Sequence, residues 1–138
     1  MSDIVAVLDA SAVLALIHRE PGADSVASFI AAGTTALCAV NYCEVVGKLV
    51  DLRKDTTTIR AEMLAMGVQI VAFDDALAES AAELRTRTRQ FSLSLGDRAC
   101  LALAIRFKVP AITADRIWKS VEPHCKVELT VNCRSFSA

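Results

Sequence analysis

The sequence predicts an α/β fold: a three-layer α/β/α sandwich around a central parallel sheet of about five strands. Three observations predict it. Short apolar runs of strand length recur along the 138 residues: "IVAVL" at 4–8, "TALCA" at 35–39, "VQIVAF" at 68–73, "AIT" at 111–113 and "KVELTV" at 126–131. Helix-period stretches separate most successive runs, and strand–helix–strand alternation requires parallel pairing with right-handed crossovers. The first run is apolar at every position, as strands covered on both faces are. No linker, repeat or low-complexity segment interrupts the series, so a single domain over 1–138 is expected.

The elements follow in order. After the first strand, helical patterns run over about 12–18 and 22–32, punctuated by Pro21 and Gly22. Either Asp9 or Ser11 caps the first helix. Asn41 reads as the N-cap of a long helix reaching about Arg53, with Glu44 as its N3 acid. "TTTIRAEMLAMG" forms another helix, stopped by Gly67. Asp74 or Asp75 caps "ALAESAAELRTRTRQ", and Ser94 with Asp97 fits a capping box at the head of "DRACLALAIRFK". Asp115 stands before a short "RIWKSV" helix.

Composition narrows the function classes. Hydrophobic residues make up 54% of the chain and aromatics 5%, so the core is built from aliphatic side chains. The formal net charge is −1, which excludes a basic surface spread over the whole protein. A polyanion has to be held by a local patch or through a cation. The five cysteines form no CxxC pair and read as reduced thiols. His124, Cys125 and Cys133 do not have the spacing of a zinc site. The N-terminus has no basic signal-peptide region, and no apolar run is long enough to span a bilayer, so a cytoplasmic protein is expected.

Acids stand at the strand ends. Asp9 follows the first strand, Glu44 lies in the first turn of the helix after the second, and Asp115 follows the fourth. Asp97 opens the helix that leads into the fourth strand. In open parallel sheets ligands bind beyond the carboxyl ends of the strands, where strand order reverses. Each acid taken alone is explained by helix capping. Gathered together, they repel one another and attract a hard divalent cation with oxygen ligands, Mg²⁺ or Mn²⁺.

"VLDASA", "NYCEVV", "LGDRACLALA" and "ITAD" resemble the four acidic motifs of the PIN-domain nucleases. The likeness is nearest to the VapC-type toxins of toxin–antitoxin pairs and covers nearly the whole chain in order. It implies a PIN-like fold and an Mg²⁺- or Mn²⁺-dependent endoribonuclease. By position, Asp9, Glu44, Asp97 and Asp115 form the acidic cluster, with Asp9 and Asp97 the metal-holding pair. Ser11 and Thr113 match its small hydroxyl positions. The resemblance also implies RNA hydrolysis leaving 5′-phosphate and 3′-hydroxyl ends, a small antitoxin that blocks the acidic pocket, and a homodimer.

Arg98 and Arg116, beside two of these acids, are candidates for RNA phosphates. Arg85, Arg87 and Arg89 read first as a solvated helix end that complements the dipole, with phosphate contact as the alternative. Tyr42 and Trp118 read as partly buried before they read as base-stacking platforms. Three rivals stand beside the toxin reading: a PIN-domain RNA-processing nuclease outside a toxin–antitoxin pair, an Mg-dependent haloacid dehalogenase-like phosphotransfer enzyme, and a receiver-like domain. Ser11 argues against the phosphotransfer enzyme, which needs an acid there. Asp3 standing alone before the first strand argues against the receiver, which needs an acidic pair.

Overall fold

The computed structural model describes residues 3–114, 118, 120 and a strand at 129–131. Asp115, Arg116, His124, Cys125, Cys133 and the first half of the expected fifth strand lie outside the described residues. In chain order the elements are β1 (Ile4–Leu8), α1 (Ala10–Ile17), α2 (Ala23–Ala32), β2 (Thr34–Cys38), α3 (Ala39–Asp51), α4 (Thr56–Ala65), β3 (Val68–Val71), α5 (Asp75–Thr88), a 3₁₀ turn (Arg89–Phe91), α6 (Leu95–Phe107), β4 (Ala111–Thr113) and β5 (Leu129–Val131).

The five strands form one parallel sheet in the order β3-β2-β1-β4-β5. The chain winds outward from β1 to β3, then returns to the other side of β1. The switch in winding direction therefore falls between β1 and β4. A receiver-like sheet has the order 2-1-3-4-5, so this topology removes that rival.

Side chains alternate across the sheet with a period of two. Ala6, Leu8, Leu37 and Ile112 pack with α1, α2, α3 and α4 on one face. Val7, Ala36, Cys38 and Ala111 pack with α5 and α6 on the other. Both faces are dry, which explains why β1 has no polar alternation. Trp118 belongs to the α5–α6 core and is fully buried, so it has no face to offer a base. Tyr42 is covered by the Arg60 guanidinium, 5.6 Å from the ring centroid.

Local chemistry sets the helix starts. Asp9, Asp55 and Asp74 each cap a helix through a side-chain oxygen, and Ser94 with Asp97 completes a capping box on α6. Asn41 is not a cap. β2 runs straight into α3, whose N-cap is Cys38 with no side-chain bond, and Asn41 sits inside the first turn. Its amide is thereby released for a tertiary role.

Gly33 joins α2 to β2 at a close approach. A Cβ there would lie 2.7 Å from Val5 Cγ1. Val5 is β-branched and has little freedom to turn aside. Gly33→Ala is expected to lower stability by about 1–3 kcal/mol through overpacking, read as a shift in the urea midpoint at unchanged m-value.

Candidate active site

The register of β1 against β4 builds the centre of the site. Val7 pairs with Ala111 and Leu8 with Ile112, and the Asp9 amide donates to the Ile112 carbonyl at 3.1 Å. The next residues along, Asp9 and Thr113, therefore face each other at the carboxyl edge. Thr113 Oγ1 donates to Asp9 Oδ2 at 2.5 Å. Ser11 Oγ and the Ala12 amide donate to Oδ1 at 2.7 and 2.8 Å. Ser11 Oγ in turn accepts from the Ala114 amide at 2.9 Å, which links α1 to the end of β4. Asp9 is thus a helix cap and the hub of an inter-strand network at once.

Glu44 reaches the same place from α3. Asn41 Nδ2 donates to Glu44 Oε1 at 3.3 Å and to the Gly96 carbonyl at 3.1 Å. This amide ties α3 to the first turn of α6. Gly96 leaves the room that Glu44 occupies: a Cβ at that position would lie 2.6 Å from Glu44 Oε1. Asp97 follows, its Oδ2 accepting from the Ser94 amide at 3.0 Å. Asp9, Ser11, Asn41, Glu44, Lys48 and Asp97 line one open cleft of about 220 Å³.

The cleft is electrostatically loaded. Burial pushes the Asp9 carboxyl up to about 6, against the pull of its Thr113, Ala12 and Ser11 hydrogen bonds, and the Asp97 charge adds to the rise. Glu44 is also raised, first by burial; Asn41 and Lys48 oppose this, while Asp97 reinforces it. Asn41 Oδ1 is buried without a donor. The lining has no His or Cys. This set of oxygens fits a hard divalent cation. The groups that could hold one are the carboxylates of Asp9, Asp97 and Glu44. As they stand, no three His, Cys, Asp or Glu among the described residues converge closely enough to form a finished metal cluster.

Of the residues expected from sequence, Asp9, Glu44 and Asp97 share the cleft, and Ser11 and Thr113 both bond Asp9. Arg98 turns away: its Nη1 donates to the Ala81 carbonyl on α5 at 3.1 Å. Asn41, Lys48 and Gly96 were not singled out for the site. Lys48 had a legible signal, since it lies four residues after Glu44 on one helix face.

Asp9 also generates a pH dependence. An unfolded aspartate ionises near about 3.9, while the folded chain holds this proton up to about 6. The folded state binds more protons between these values, so this contribution to stability falls as pH rises from about 4 to about 6 and is flat beyond. Asn retains the cap and lacks the charge. In chelator at pH 7, Asp9→Asn is expected to be more stable than wild type by about 2–3 kcal/mol. The gain should vanish near about pH 4, where both states of wild type are protonated. Urea titrations at several pH values measure it, and a variant less stable at pH 7 would show that capping outweighs charge burial.

The sequence model of the PIN domain family matches residues 6–122. No curated protein is a match. Solved structures share the fold. A toxin–antitoxin complex from Klebsiella pneumoniae superposes with TM-score 0.67 at 19% identity, over 91% of this chain and 96% of that one. VapBC2 from Rickettsia felis, bound to a promoter DNA fragment, gives 0.66 at 15% identity, over 93% and 98%. VapBC-5 from Mycobacterium tuberculosis gives 0.58 at 22%, over 92% and 98%. The sequence match spans β1 to β4 and takes in the acids that line the cleft, and by it the chain belongs to the PIN domain family.

Proposed function

We propose that this PIN domain is a divalent-metal-dependent endoribonuclease and the toxin of a type II toxin–antitoxin pair. The observation that carries the reading is the convergence of Asp9, Glu44 and Asp97 on one cleft at the switch between β1 and β4. Family membership supports nuclease chemistry. The fold shared with toxin–antitoxin structures supports the toxin assignment. Asp115 joins the acidic set by its place two residues after Thr113.

On this reading Asp9 and Asp97 hold Mg²⁺ or Mn²⁺. The ion supplies activation of water and charge stabilisation at the phosphate. Ser11, Thr113 and the Ala12 amide hold Asp9 in one orientation and keep it from turning into the helix. Asn41 fixes Glu44 through Oε1, leaving Oε2 to take the proton of an attacking water. Lys48, one helical turn from Glu44, offsets part of the negative charge a phosphodiester meets on approach. Hydrolysis by water needs no RNA 2′-hydroxyl, so preference for RNA arises in binding, with Arg98 and Arg116 as candidate phosphate contacts. A cytoplasmic homodimer restrained by a co-encoded antitoxin completes the proposal. Among the described residues no helix is long and apolar enough to cross a membrane.

Purified protein is expected to cleave single-stranded RNA with Mn²⁺ or Mg²⁺ and to stop with chelator. Asp97→Asn should abolish cleavage while costing little stability, because Asn still accepts the Ser94 amide. Gly96→Ala should reduce cleavage about tenfold to a hundredfold by displacing the Glu44 carboxylate. The flexible end of Glu44 yields easily, so stability should hardly change. Gel assays beside thermal melts separate the two effects, and full activity in Asp97→Asn rejects the metal-site assignment. Expressed with its own operon, the protein should co-purify with a small partner in a stable complex. Recovery of the bare chain alone from that operon would favour an RNA-processing nuclease outside a toxin–antitoxin pair.

A further inference from the structure

A second cleft, also of about 220 Å³, opens on the other side of the α6 N-terminus. It is lined by Arg85, Thr88, Arg89, Ser92, Leu93 and Arg98, drawn from the end of α5, the 3₁₀ turn and the first turn of α6. No carboxylate is among them. The Arg106–Asp74 pair is the salt bridge found among the described residues, so none of these guanidiniums is neutralised by one there.

Arg98 is held in place but only half satisfied. Its Nη1 is anchored on the Ala81 carbonyl at 3.1 Å, while its Nε is buried without an acceptor. A buried charged donor left without an acceptor is unfavourable, and natural structures rarely leave one so. Arg85 and Arg89 extend from the adjoining α5 end, exposed and four residues apart. Ser92 closes the turn in a left-handed conformation at φ 52°, which carries the chain round from α5 toward α6. Three guanidinium forks without an acid form a cleft that selects for an oxyanion, and the planar fork suits phosphate.

We infer that the Arg85–Arg89–Arg98 cleft binds a backbone phosphate of single-stranded RNA. Asp97 lines the acidic cleft and Arg98 the basic one, so consecutive residues of α6 face the two sites. One strand lying across the α6 N-terminus would place one phosphate among the arginines and another at the acids. The inference rests on the nuclease reading for its choice of RNA. It also explains how a chain of net charge −1 holds a polyanion: the cations are concentrated in one cleft.

The test is binding of a labelled mixed-sequence single-stranded RNA oligonucleotide in chelator, followed by fluorescence anisotropy across a salt series. The double variant Arg85→Gln/Arg89→Gln leaves the anchored Arg98 in place, so folding is preserved. It should bind about tenfold more weakly or worse, with the salt slope reduced by about 1.4, at about 0.7 per lost phosphate contact. The charge-matched control Arg53→Gln/Lys54→Gln removes two cations that do not line the cleft and should change the slope less. With Mn²⁺ present, the Arg85/Arg89 double variant should raise KM more than it lowers kcat. Unchanged affinity and slope overturn the inference even if wild type cleaves RNA. Loss of binding to the co-purifying partner with RNA binding intact overturns it in favour of a protein-docking role. Wild type that binds RNA through these arginines yet cleaves nothing supports the cleft and defeats the nuclease reading.

Discussion

The contact on which the site depends is the bond from Thr113 Oγ1 to Asp9. It requires β4 to lie directly beside β1, with Leu8 opposite Ile112. That adjacency holds only if the chain switches direction after β3 and brings α5 and α6 across the opposite face of the sheet. A fold that kept winding outward would leave Asp9 as a plain helix cap. The strand order is what turns a capping acid into one with four polar neighbours and a carboxyl group pushed up to about 6. Burying a carboxylate in this way opposes folding. A position with that cost and no packing benefit is where functional chemistry is expected.

The second wall of the cleft solves a different problem. α3 belongs to one face of the sheet and α6 to the other, and they meet past the carboxyl edge. A backbone carbonyl on α6 and a carboxylate on α3 both need a donor there, and the Asn41 amide serves both. Gly96 permits the approach because a larger residue would occupy the Glu44 position. The position of Glu44 therefore depends on two uncharged residues, one donating hydrogen bonds and one absent side chain. Neither carries chemistry of its own.

Much of this was legible in the amino-acid sequence, for physical reasons. Strand and helix periods are local, so "IVAVL" and "AIT" were located to the residue. The acids were legible because each follows a strand or opens a helix, and the topology rule brings such positions together. The cap and cluster readings of Asp9 turned out to be compatible, since one carboxylate has lone pairs for both roles. Asn41 was misread because a cap preference competes with a strand that passes directly into a helix, and Cys38 fills the cap with backbone alone. Gly96 and the orientation of Arg98 were not legible. Both depend on α5 and α3 packing against α6, which leaves no trace in the spacing of α6 itself. Trp118 shows the opposite limit: an amphipathic ring says nothing about which of its ends is covered.

The first turn of α6 is where these threads join. Successive helical residues point about 100° apart, so Asp97 and Arg98 are directed to different sides of the helix N-terminus. Set side by side in one pocket, this acid and this base would neutralise each other and recognise neither a cation nor an anion. The capping box holds Asp97 by Oδ2 on the α3 side, and the Ala81 carbonyl holds Arg98 on the α5 side. Charge separation is thus enforced by hydrogen bonds to backbone atoms rather than by distance along the chain. A substrate that is itself a repeating anion benefits from this arrangement. It needs positive charge to arrive, and it needs concentrated negative charge, met by a divalent ion, to react. A single helical turn with one residue of each kind supplies both requirements at neighbouring positions.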